Sequence, residues 1–236
     1  MHHLFVALRC HSDIAKFEFE DGVVRQAGAA LLAEESTISV VEIDIATERT
    51  LALDNVGQPS EWAGTMTISS ESPDDVNAEM IAELVAEVAV VDQAWTASST
   101  RLADLDGQWA GTVTPGLKVS LVVTPAAGMP QTLFHQSLEA KLTEVHSELP
   151  DVGHALISAS EDSGQHYGVA SFSFPSEAAL NAAAQAEAFS PILAADLVDP
   201  QNVQILMAVE HRLTPNPNAW AMPTEPLMPI RDDPSE

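Results

Sequence analysis

Across 236 residues the chain has one cysteine, one tyrosine and nine basic residues. The single thiol, Cys10, excludes an intrachain disulfide framework and a thiolate zinc cluster, and it accords with a reducing compartment. The scarcity of lysine and arginine against 35 acidic residues leaves a formal charge of −26. A surface of that sign repels phosphate backbones and anionic headgroups, so neither nucleic acid nor a membrane surface is an expected partner. The acidic residues are dispersed, which reads as a solvating face, and no EF-hand-type loop gathers them for calcium. No apolar run reaches the roughly 18 residues a membrane helix needs. The best stretch, Ala78 to Val91, is broken by Glu79, Glu83 and Glu87. The N-terminal MHHLFVALRCHSD reads as a first strand rather than a secretion signal, so a cytoplasmic protein is expected. No H-E-x-x-H, no histidine pair at i, i+4, no glycine-rich phosphate loop and no G-x-S-x-G elbow around Ser120 or Ser171 is present. Neither a metal nor an organic cofactor is therefore expected.

What is present, at 46% hydrophobic, is enough for a sizeable core. In the second half, Leu117 to Val123 alternates like a strand and breaks at Thr124-Pro125. Phe134, Leu138, Leu142, Val145 and Leu149 recur at helical spacing until Pro150. Val152 to Ala159 and Tyr167 to Phe174 are short β runs around Glu161-Asp-Ser-Gly164. Ser176 caps an alanine-rich helix, and Val203 to Val209 closes the unit as a strand. The order is βαββαβ.

The first half repeats that order: a strand from His3 to Arg9, then a helical stretch from Asp13 to Glu35 that Gly22 and Gly28 weaken. Strands follow at Ile38 to Ile45 and Trp62 to Ile68, then a helix opening at Pro73 and a strand from Val90 to Thr96. The expected fold class is α+β: two tandem ferredoxin-like units, residues 1–103 and 117–213, joined by a linker at 104–116. A proline-rich tail occupies 214–236. Each such unit leaves one sheet face bare, and two bare faces pressed together make a pseudo-dimeric α/β barrel. Along Leu117 to Val123 the odd positions would face helices, while Lys118, Ser120 and Val122 would face the interior. Tyr167, Val169, Ser171 and Ser173 would share the interior face of their strand.

Residues Thr114 to Thr214 resemble the EthD-like family of dimeric α/β barrels. The resemblance rests on the strand Val119 to Val123, the small loop Pro125-Ala-Ala-Gly128 and a helix starting near Thr132. It rests also on the exit Thr143-Glu-Val-His-Ser-Glu-Leu-Pro150 and a last strand ending near Glu210-His211. The first half has no histidine at its corresponding Leu31-Leu-Ala-Glu-Glu-Ser36. The resemblance implies a barrel that acts on a small hydrophobic, oxygen-bearing organic molecule without metal or flavin.

Within that frame His146, the match to the family motif, is the candidate catalytic acid or base. Its competing role is to cap the helix in the dipole field. His135, eleven positions earlier, is about 16 Å away along the helix and cannot share a metal ion with it. Lys118 is a candidate anchor for a substrate carboxylate or enolate if it faces inward. Tyr167 could hydrogen-bond a substrate oxygen or simply pack, and His154 and His211 are candidate binding groups at strand ends. Three readings follow: a cofactor-independent oxidation, decarboxylation, dehydration or cyclisation enzyme, a non-catalytic ligand-binding or accessory barrel, and a filled structural barrel. The barrel needs no second subunit, and a homodimer through its outer faces is compatible with the pattern.

Overall fold

The computed structural model describes residues 2–33, 37–49, 51, 57–103, 112–114, 116–159 and 167–215. The turn at 161–164, residues 104–111 and 115 of the linker, and the proline-rich tail beyond 215 lie outside the described residues. The chain runs β1 (His2–Cys10), α1 (Lys16–Glu20), a π-helical Asp21–Ala27 and α2 (Gly28–Leu31) as one continuous helix. It continues with β2 (Ile38–Ala46), β3 (Gln58–Pro59), β4 (Gly64–Ser70), α3 (Ala78–Val85) and β5 (Ala89–Ala103). Then come β6 (Thr112–Val113), β7 (Leu117–Val123), α4 (Gln131–Glu148), β8 (Gly153–Ala159), β9 (Gly168–Phe174), α5 (Glu177–Gln185) and β10 (Gln204–Leu213).

Eight long strands pair in the order β2-β4-β1-β5-β8-β9-β7-β10, and β10 pairs back onto β2. Every pairing around that ring is antiparallel, so the sheet closes into a barrel with no free edge. Helices cover its outer side. One core joins α1, α2 and α3 to Val6, Val41, Ile43 and Met66. Another joins α4 and α5 to Val119, Leu121, Phe172 and Met207. The fold is α+β, as the sequence predicts.

Local chemistry sets the boundaries. The Asn77 side chain accepts the Met80 amide at 2.9 Å and starts α3; Ser176 accepts the Ala179 amide at 3.2 Å and starts α5. Phe134, Leu138, Leu142 and Val145 form the buried stripe of α4. The glycines that weaken the first helix are there for packing. A Cβ on Gly22 would lie 2.7 Å from Val88 Cγ1, and one on Gly28 2.5 Å from Leu213 Cδ1. Strand β5 runs past the expected end at Thr96 because it changes partner. Up to Ala97 it pairs with β1, and from Ala97 onward with β8. That tertiary pairing holds the polar Thr96-Ala-Ser-Ser-Thr100 extended. The predicted linker contains β6, which pairs with β10, so its last residues belong to the barrel.

Candidate functional site

Alternation divides each strand between the helix side and the barrel interior, and the interior has two unlike walls. On β1, β5, β8 and β9 it is oily: Phe5, Trp95, Ile157 and Val169 are buried together with Trp62 and Val122. Phe5 stacks on Trp95 at 4.4 Å between ring centroids, and Trp95 lies 5.5 Å from Tyr167. At the barrel end where Tyr167 sits, a cleft of about 490 Å³ opens, lined by Arg9, Glu61, Trp62, Asp92 and Tyr167 together with side-chain amides such as Gln93 and Gln204. Arg9 Nε donates to Asp92 Oδ1 at 2.8 Å, and Arg9 Nη1 meets Glu61 Oε2 at 3.0 Å. The second Asp92 oxygen accepts the Trp62 indole N–H at 2.9 Å. Tyr167 is half-buried at the rim of this cleft.

The opposite wall, at the junction of β7, β10 and β2, is charged. Lys118 points inward, as alternation predicts, and its Nζ sits 2.9 Å from Asp44 Oδ2 and 2.8 Å from Glu210 Oε2. The room for this long side chain comes from alanines. Ala208 is directly opposite Lys118, and Ala46 directly opposite Ala208. Thr114 donates to Glu210 Oε1 at 2.9 Å and Thr65 to Asp44 Oδ2 at 3.3 Å. Two carboxylates on one ammonium leave a net negative charge in a buried place, and burial pushes the Asp44 carboxyl up to about 6 against the pull of Lys118. Burial alone would lower the Lys118 ammonium, but Asp44, Glu210 and Glu42 outweigh it and hold it above its ordinary value. A lysine so engaged is not poised as an anchor for a substrate anion.

His146 and His154 come together, but on the helix side of the sheet. Their Nδ1 atoms are 3.3 Å apart and the rings meet edge to face at 4.9 Å. His154 is 1% exposed and packs against Phe172; burial, then the facing His146, brings it down to about 4. Neither residue lines the cleft. His211 lies elsewhere, on the outer face of β10 with Glu20 Oε1 at 3.6 Å, and burial lowers it to about 4. Of the five residues singled out from the sequence, the structure thus brings Tyr167 to the cleft, Lys118 to the charged wall, and His146 to His154.

The residues that sequence reasoning passed over are Arg9, Trp62 and Asp92. Arg9 carried a signal, as one of only nine cations and at the interior phase of β1, odd-numbered like Phe5 and Ala7. Trp62 precedes β4 and Asp92 lies in β5, three residues after its start at Ala89, so nothing local pairs them.

No protein-family description matches the chain, and no curated protein resembles it in sequence. Solved structures do resemble it in shape. An anthrone oxidase-like protein superposes with a TM-score of 0.56 at 11% identity, over 91% of this chain and 94% of the other. A chlorite dismutase variant from Candidatus Nitrospira defluvii does so with a TM-score of 0.52 at 7% identity, over 88% and 90%. At such identities the likeness speaks to the fold: an eight-stranded antiparallel α+β barrel. Among the described residues no helix is long and apolar enough to cross a membrane.

Proposed function

We propose that the chain is two EthD-like ferredoxin-like units in tandem whose barrel binds a small hydrophobic, oxygen-bearing organic molecule in the mouth cleft. There it carries out a cofactor-independent oxidation, decarboxylation, dehydration or cyclisation. The strand orders β2-β4-β1-β5 and β8-β9-β7-β10 support the tandem reading, since each gives the same 2-3-1-4 succession of a βαββαβ unit. The observation that carries the functional reading is the cleft itself, with Trp62 and Tyr167 at its surface and Trp95 and Phe5 behind them. Flat aromatic walls gain dispersion from a flat ligand, while the Tyr167 hydroxyl can donate to a substrate oxygen or exchange a proton with it. The neighbours in shape include an anthrone oxidase-like protein, a class of name consistent with this chemistry.

The alternative is a ligand-binding or accessory barrel without turnover. It is favoured by two observations: both oxygens of Asp92 are already engaged, by Arg9 and by Trp62, and His146 stands off the cleft. Mass spectrometry of small molecules retained by the purified protein, repeated on Tyr167→Phe and His146→Ala, separates the readings. Turnover of a retained compound that Tyr167→Phe abolishes and His146→Ala spares supports catalysis at the cleft. A compound held unchanged by all three proteins supports the accessory reading. If nothing is retained and no aromatic probe binds, both fall.

A further inference from the structure

The cleft carries a charge balance that bears on which members of that ligand class can enter. Among its described lining residues Arg9 is the only cation. Its guanidinium is committed on two sides, to Asp92 at 2.8 Å and to Glu61 at 3.0 Å. Asp92 is the stronger partner, because its side chain is 23% exposed against 77% for Glu61, and exposed pairs are screened by water. Two carboxylates and one guanidinium leave the rim net negative. The other polar groups around it are uncharged: side-chain amides, among them Gln58, Gln93, Gln201 and Gln204, and the hydroxyls of Thr124 and Tyr167. The indole N–H of Trp62, which could have donated to a ligand anion, is given to Asp92. What remains facing a ligand carries no positive charge to offset an anion's: uncharged amides and hydroxyls, and the aromatic surface of Trp62 and Tyr167, whose negative π faces attract cations and repel anions. The whole chain, at −26, adds a field of the same sign.

We infer that the mouth cleft is a charge filter: it takes neutral or ammonium-bearing aromatic molecules and rejects carboxylates and other anions, with Asp92 as the selecting residue. The inference rests on the reading of the cleft as the ligand site given above. It assigns Arg9 a role opposite to the usual one, since an arginine in a pocket ordinarily marks an anion subsite. Here Asp92 occupies the place that a substrate carboxylate would take.

Three probes of one shape and different charge test it: naphthylmethylammonium, naphthylmethanol and naphthoate, titrated calorimetrically into the full-length protein at low salt. Naphthoate should bind at least about tenfold more weakly than naphthylmethanol, and naphthylmethylammonium at least as tightly as the alcohol. Asp92→Asn frees one side of Arg9 and should raise naphthoate affinity by about fivefold or more, and adding Glu61→Gln should raise it further. Arg9→Gln should widen the discrimination instead. Thermal melts of each variant establish that it is folded, and these residues are surface-accessible enough for the changes to be tolerated. Naphthoate binding as tightly as naphthylmethanol overturns the filter while leaving the cleft as a ligand site. Unchanged selectivity in folded Asp92→Asn overturns the role given to Asp92. Failure of all three probes to bind overturns the filter and the cleft reading together.

Discussion

The two walls of the barrel interior solve the same burial problem by opposite means. On the oily wall Phe5, Ile157 and Val169 fill space without needing partners, and Trp95 does so with its indole N–H buried and unpaired among the described residues. The aromatic pairs add about 0.5–1.5 kcal/mol each beyond their buried area. On the charged wall Lys118, Asp44 and Glu210 need one another, because each ion would cost several kcal/mol if left alone out of water. The comparison teaches that the first wall can be altered piecemeal, while the second stands or falls as a unit. The cleft lies beside the tolerant wall.

The sharpest way to break this contrast is Lys118→Ala. It strands two buried carboxylates and should destabilise the fold by about 3–5 kcal/mol in denaturant titration. Replacing the whole cluster, as Lys118→Met with Asp44→Leu and Glu210→Leu, should return most of that loss. A triple variant less stable than the single one would show that the charges do more than satisfy each other.

How much of this was readable beforehand differs between the walls. The alternation in Leu117 to Val123 was enough to turn Lys118 inward, and the stripe from Phe134 to Val145 was enough to define α4. The partners of Lys118 were not readable. Asp44 and Glu210 come from the far ends of the sequence, and only barrel closure through the β10–β2 pairing puts them in reach. The same holds for the cleft. Arg9, Trp62 and Asp92 each look like a strand-end residue until β1, β4 and β5 are side by side. His146 and His154 needed only the short connection between α4 and β8 to meet, but the sequence does not say which side of the sheet they meet on.

A second, smaller effect concerns acid. His154 and His211 are both lowered to about 4, so each binds its proton more readily in the unfolded chain than in the folded one. Their contribution is fully present above the ordinary histidine value of about 6.5 and is lost as pH falls toward 4. Asp44, raised to about 6, has the opposite sign, since the folded state holds its proton more tightly between about 4 and 6. Two histidines against one carboxyl leave a net loss. The melting temperature should fall by about 5–10 °C between pH 7 and pH 4.5, and His211→Gln should remove most of that fall, because Asp44 then nearly offsets the one histidine left.

Between the walls, the Ser120 and Ser171 hydroxyls pair at 2.9 Å in full burial. Ser120→Ala should cost about 1–2 kcal/mol by orphaning Ser171, and the double alanine variant should cost less than twice that. The smallest change in stability belongs to Tyr167→Phe, expected within about 0.5 kcal/mol of the parent by thermal melt. Its effect should appear instead as roughly fivefold weaker binding of an oxygen-bearing aromatic probe, the loss of one neutral hydrogen bond.

Strand β10 pairs with β7 on one side and β2 on the other, and it also receives β3 and β6. It is the last strand among the described residues, which gives barrel closure a consequence during synthesis. While the chain emerges, β2 presents an unpaired flank until residues 204–213 have left the ribosome, with nearly the whole barrel already made. Such long-range closure slows folding and leaves sticky strand edges waiting. A truncation just before Gln204 should therefore yield an aggregating chain rather than a smaller stable barrel. The dense negative charge is well placed to keep nascent copies apart during that wait.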